Sequence, residues 1–404
     1  MVSLSSCLPR CLAVLATLAS STLAHPITDR ALTTVRLPTP LNATFAVGSQ
    51  VSKLVDDSRT DPFNSTEKRA VEITTYYPSS GQNDGTCPGG TSFAPYMPTV
   101  MAGLADQALG IPSGTMESIL TDTCLGAPAV SSAQRNLVVI SPGLGVSRLV
   151  YQTFTTALAA HGYVVIGIDH PYDADIVEYP DGQLVFAVPV NQSDSAAITS
   201  RIEIRTKDIQ FVLDQVCSNK DLTQGIPVDC GTRKVGMFGH MLGGATTADM
   251  TIIDQRIAGG VNLDGTFVPT QDGPDVAPDT HFLLITSEGH NETTDPTYGD
   301  WFKTSVANAV PRCIETVKGT GPATFTDYPV LLKVLGFPQS SLPADEAEEL
   351  GTIDGNRISK ILQVSFNAWF DLILKGEAAR AEELLMHGSE IFPEVKIVQV
   401  QGTA

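Results

Sequence analysis

Apolar residues fall in short dense runs separated by longer mixed stretches. "NLVVISPG" (136–143), "YVVIGID" (163–169), "KVGMFG" (234–239), "GGVNLD" (259–264), "HFLLITS" (281–287) and "RCIETVKG" (312–319) predict strands buried on both faces. "VEITTYYP" (71–78) reads as an opening strand, antiparallel to the rest. Between them, "VYQTFTTALAAHG" (150–162), "RIEIRTKDIQFVLDQV" (201–216) and "LGGATTADMTIID" (242–254) read as helices. The stretch 355–391 is amphipathic and helical, its "ISKILQVSFNAWFDLIL" expected to pack on the sheet. This alternation predicts an α/β domain with a mostly parallel sheet and helices on both faces.

The amino end breaks the pattern. Arg10 precedes the apolar run "CLAVLATLAS", and Thr22 and Ala24 occupy the positions a signal peptidase reads. We expect residues 1–24 to be a signal peptide, 25–69 a propeptide or extended N-terminal segment, and 70–404 one domain. Lys68 and Arg69 form a dibasic pair that is either a processing site or an exposed pair before the first strand. The leader run is short for a membrane span, and no later segment approaches one.

Composition narrows the partners. A net charge of −19 in 404 residues argues against nucleic acid and against polybasic docking on anionic membranes. The sequons at Asn42, Asn64, Asn191 and Asn291 fit a secretory route, secreted or vesicular. Without Cys7 and Cys11, five cysteines remain; Cys217 with Cys230 and Cys87 with Cys124 are the expected disulfides, leaving Cys313. No cysteine spacing resembles a zinc site, and no cofactor or metal is expected.

Three strand ends carry the chemistry. Gly239-His240-Met241-Leu242-Gly243 fits the G-x-S-x-G nucleophile elbow at every fixed position except the serine. In "SPGLG", after the strand at 136–140, the Leu144 amide is placed to join that of Leu242 in holding an oxyanion. Asp264 follows the elbow apex by 23 residues, where the triad acid belongs. Of seven histidines, His170 and His290 lie after strands on the chemical side and are candidate acids or bases. His240 is expected to point into the fold. His25, His161, His281 and His387 lie elsewhere.

At "SPGLGVSRLVYQTF", "DHPYDADIVEYPDG", "FGHMLGGATT" and "NLDGTFVP" the chain resembles the platelet-activating-factor acetylhydrolase-like α/β-hydrolases, particularly secreted fungal members, over roughly residues 70–390. The resemblance implies an α/β-hydrolase fold and a calcium-independent serine esterase acting on short acyl esters of lipids. It also implies a serine at 241, an acid at Asp264 and a histidine in a "GxxHxxF" context. Here that context is "GTGPATF", with Pro322 at the histidine position. Methionine has no proton to lose and proline offers no base, so a serine mechanism is not expected. The leading expectation is a repurposed, non-hydrolytic enzyme (cyclisation, pericyclic, isomerisation or aldol-type chemistry) on a carbonyl-bearing small molecule of secondary metabolism. The alternatives are a ligand-binding pseudohydrolase and a residual esterase using water activated by Asp264 or His290. Oligomeric state is not legible.

Overall fold

The computed structural model describes residues 34–402 apart from 82–84, 131–132, 269, 271–275, 278, 298–300 and 303–309. The expected signal peptide, with Cys7, Cys11 and His25, lies outside the described residues.

The strands are β1 (Val35–Arg36), β2 (Ala46–Thr60), β3 (Lys68–Ser79), β4 (Phe93–Pro95), β5 (Ile119–Leu125), β6 (Arg135–Ser141), β7 (Val164–Asp169), β8 (Ile176–Glu178), β9 (Leu184–Phe186), β10 (Val228–Asp229), β11 (Val235–His240), β12 (Ile257–Leu263), β13 (His281–Thr286), β14 (Arg312–Val317) and β15 (Val395–Gln401). The helices are α1 (Thr99–Leu109), α2 (Gln152–His161), α3 (Ser195–Ser218), α4 (Leu242–Ile253), α5 (Tyr328–Leu335), α6 (Ala344–Leu350), α7 (Gly355–Lys375) and α8 (Ala379–Ile391). The main sheet runs β1-β5-β2-β3-β7-β6-β11-β12-β13-β14-β15, and β7 through β14 are parallel. β3 is antiparallel to β7, and β15 is antiparallel to β14.

Two layers flank it. Val235 and Met237 of β11 join Ile209, Val212 and Leu213 of α3 in one core, while Phe238 joins Phe154 of α2 and Phe366 and Phe370 of α7 in the other. That alternation is the period of two expected of a strand covered on both sides. The Phe238 and Phe366 rings are 4.9 Å apart, so α7 packs on the sheet as its amphipathic pattern predicts. The helical reading of 355–391 divides in two at Gly376, whose φ of 71° ends α7 in a left-handed cap.

The amino-terminal segment changes character. β2 pairs with β3 along most of its length and with β5 on its other side. Arg69 is 1% exposed; its guanidinium donates to both oxygens of Asp208, to Asp61 and to the Pro171 carbonyl. The dibasic pair is therefore not an exposed pair ahead of the first strand; it opens β3, and only Lys68 faces water. Removing 25–69 as a propeptide would strip β1 and β2 from the sheet and leave the outer edge of β3 unpaired. Disulfides join Cys87 to Cys124 and Cys217 to Cys230, and Cys313 is a buried thiol.

Candidate functional site

β11 ends at His240 and α4 begins at Leu242, so Met241 alone makes the turn, with φ 49° and ψ −115°. Holding a residue with a Cβ at positive φ costs on the order of 1–3 kcal/mol. The flanking glycines make the turn feasible. A Cβ on Gly239 would sit 2.0 Å from the Gly243 carbonyl oxygen, and one on Gly243 would sit 1.9 Å from that of Ser141. The elbow therefore survives as geometry, with a half-exposed thioether at its apex.

The contact between Gly243 and Ser141 brings the "SPGLG" loop against the start of α4. Buried Arg205 of α3 shapes that loop: it donates to the carbonyls of Pro142 (2.5 Å) and Gly143 (3.2 Å) and to Ser141 Oγ, and it pairs with Asp173. From the other side, the Gly143 amide donates to the Tyr151 hydroxyl (3.1 Å), which donates to His240 Nδ1 (2.9 Å). His240 Nε2–H donates to the Pro322 carbonyl (2.9 Å), which fixes its tautomer. Burial pushes His240 down to about 4, so the ring is neutral. This relay ties together the loop, the elbow and the turn at Pro322. The amides of Leu144 and Leu242 donate to nothing among the described residues. Their side chains share one apolar cluster with Ile202 and Ala245.

Asp264 lies at the end of β12, itself at positive φ, and its Oδ1 accepts from the Ser287 amide (2.7 Å) and from His290 Nδ1 (2.9 Å). The other ring nitrogen of His290 donates to Asp295 (2.9 Å). Burial disfavours the charged ring, but the hydrogen bonds and charges of the two carboxylates outweigh it and push His290 up to about 10. His290 is thus an imidazolium with both N–H groups committed, which is no general base at neutral pH. It engages the Oδ1 side of the Asp264 carboxylate. Burial raises the Asp264 carboxyl, yet the His290 contacts hold it below its usual range, and Oδ2 accepts no hydrogen bond among the described residues.

His170 is not brought to this cluster. It is buried, donates through Nδ1 to Asp208 (3.0 Å) and accepts the Ser141 hydroxyl at Nε2 (3.2 Å). Both ring nitrogens are engaged behind the strand end, which leaves the expected catalytic acid or base at His170 without a free ring nitrogen. Sequence reading missed Arg205, Tyr151 and Asp208, which carry no spacing signal of their own.

The His290 clamp has a pH signature. A histidine raised above its ordinary value near 6.5 contributes stability that is complete below that pH and lost as pH climbs toward 10. Thermal melts from pH 6 to 10 should therefore fall steeply in the native protein. His290→Asn should start lower and fall less; parallel curves would remove the clamp.

Among the described residues, no group of three or more His, Cys, Asp or Glu residues could hold a metal ion, and no helix is long and apolar enough to cross a membrane.

A family model described as platelet-activating factor acetylhydrolase, isoform II, matches residues 34–207, stopping before the elbow. A protein of Arthroderma benhamiae named a probable 1-alkyl-2-acetylglycerophosphocholine esterase is 27% identical over 380 residues, spanning 89% of this chain and 92% of its own. The platelet-activating factor acetylhydrolase of Canis lupus familiaris is 23% identical over 182 residues, 38% of this chain and 40% of its own. Among solved structures, a ferulic acid esterase from Streptomyces cinnamoneus is similar with a TM-score of 0.75 and 28% identity, covering 91% of this chain and 100% of that one.

Proposed function

From its similarity to the platelet-activating-factor acetylhydrolase-like α/β-hydrolases, we propose that the chain is a member of that family and acts on a small acyl ester without a serine nucleophile. The carrying observation is the pair of undonated amides, Leu144 and Leu242, on a loop and an elbow held in shape by Arg205, Tyr151 and His240. An ester carbonyl seated there is polarised, and a tetrahedral oxyanion is stabilised.

Water is then the attacking group. Asp264 Oδ2, ionised and accepting no hydrogen bond among the described residues, takes one water proton as the water oxygen bonds to the carbonyl carbon. The intermediate collapses by breaking the ester C–O bond, and the departing alkoxide takes that proton back. The low basicity of Asp264 makes this slow. A triad assembled on the same frame works on the order of 10⁶ faster, whereas oxyanion and binding contributions alone leave about 10³–10⁴ over water.

The test is turnover of p-nitrophenyl acetate and of an acetylated glycerophosphocholine. We expect slow hydrolysis insensitive to fluorophosphonates, and a drop of about 10²-fold in Asp264→Asn, in the range of general-base effects. An unchanged rate in Asp264→Asn sinks the water mechanism; labelling by fluorophosphonate sinks the non-serine premise.

Met241 at the apex and the locked His290 favour a second reading. The same amides serve a non-hydrolytic step, a cyclisation, pericyclic, isomerisation or aldol-type reaction, on a carbonyl-bearing metabolite. Binding of such a compound and its conversion, with no ester turnover, selects this reading; binding without conversion selects a pseudohydrolase. For location we propose the secretory pathway, supported by the two disulfides. Asn42, Asn191 and Asn291 are exposed and open to glycosylation, whereas Asn64 is half-buried.

A further inference from the structure

An apolar cavity of about 90 Å³ lies beside the 145–147 loop, between α1 and α5, and does not include Met241, Asp264 or His290. A single water needs only ~10–15 Å³, so the space admits a chain of several carbons. Met97, Met101 and Met116 form one wall and Leu331 and Phe337 another. Methionine walls adapt to flexible apolar occupants.

One acidic residue interrupts this lining. Asp175 is half-buried at the cavity, and its carboxylate meets no hydrogen-bond donor and no cation among the described residues. Its neighbour Asp173 holds the Arg205 guanidinium, and Arg201 donates to the Tyr172 and Val188 carbonyls. A carboxylate withdrawn into apolar surroundings without a partner is costly. Burial, with the nearby Asp173 charge adding to it, raises its carboxyl to about 7. A ligand that supplies a charge and N–H donors at that point, with a hydrocarbon body to fill the rest, removes the cost. The chain's net charge of −19 favours cations over anions in the approach as well.

We propose that this cavity is a binding site for an aliphatic amine, its alkyl chain between α1 and α5 and its ammonium on Asp175. The site goes beyond the ester chemistry assigned to the elbow and stands or falls separately from it.

The experiment is calorimetric titration of the purified protein with n-octylamine, n-octanol and octanoate at neutral pH. Octylammonium should bind saturably and on the order of ten- to hundred-fold tighter than octanol, the scale of one charge-assisted hydrogen bond. Octanoate should bind weakest. Asp175→Asn should erase the amine's advantage while leaving octanol affinity unchanged. Ala105→Phe, which fills the cavity from α1, should weaken both ligands. Equal binding of amine and alcohol by the native protein overturns the proposal. So does amine binding that survives both variants, which would be adsorption to an acidic surface, or no saturable binding at all. The native comparison of amine with alcohol needs no variant, so a poorly folding substitution leaves the test intact.

Discussion

Met241→Ser combined with Pro322→His should raise turnover of p-nitrophenyl acetate by at least about 10³-fold, toward the roughly 10⁶ that a complete triad supplies. The frame for it is in place. Met241 already holds φ 49° and ψ −115°, so a serine there inherits the turn. The Pro322 carbonyl is tied to His240, which fixes the backbone that would carry the new imidazole. The obstacle is Asp264, now engaged by His290. A histidine at 322 must win that carboxylate before it can act as a base, so adding His290→Asn should lift the rate beyond that of the double variant. Met241→Ser alone should gain little, because nucleophile and base act as one unit. The readouts are kcat and covalent labelling by a fluorophosphonate. A triple variant that neither labels nor turns over would mean that residue 322 does not face Asp264.

The largest expected loss of stability is in Arg205→Leu, at about 3–5 kcal/mol, the cost of leaving a buried charge without its partner. Arg205 is 1% exposed and joins Asp173 to the carbonyls of Pro142 and Gly143. Leucine fills part of the volume but leaves Asp173 buried without its ion-pair partner and the Pro142 carbonyl unpaired, while the Gly143 carbonyl keeps the Val146 amide. The expected drop in Tm is roughly 4–6 °C, at about 1–2 °C per kcal/mol once the per-residue unfolding entropy is scaled to 404 residues. The same change frees the loop that carries Leu144, so residual ester turnover should fall even where the protein remains folded. A Tm within 2 °C of the native value would show that the loop is held by other means.

The central strands were legible because burial on both faces writes itself as continuous apolar runs, and β6, β7, β11, β12, β13 and β14 all lie where those runs are. β2 was not legible: "SKLVDDSRT" is polar, and its place in the sheet comes from pairing with β3 and from Asp56 and Arg59 at a buried ion network. β15 alternates, but its run of seven residues directly follows two helices and carries exposed Val398 and Val400. At the site, the elbow and Asp264 could be read because their backbone demands fixed residues at fixed offsets. His290 could be nominated from its position after β13, but not its state. That state depends on Asp295 closing the loop from the other side, which spacing does not encode. The role of His170 turned on Asp208, 38 residues away in α3, for the same reason.

The burial of Arg69 bears on how the chain meets proteases. A dibasic pair is recognised when several residues on each side lie extended in the protease cleft, with the basic side chains free to enter its pockets. Here the backbone is already paired within the sheet, and the guanidinium is held by Asp208 of α3 and by Asp61 in the β2–β3 connection. Cleavage after Arg69 is therefore governed by how often the hairpin opens, not by how well the pair fits an active site. Before the sheet closes, the same pair is an ordinary substrate, so the order of folding and protease encounter decides whether β2 stays attached.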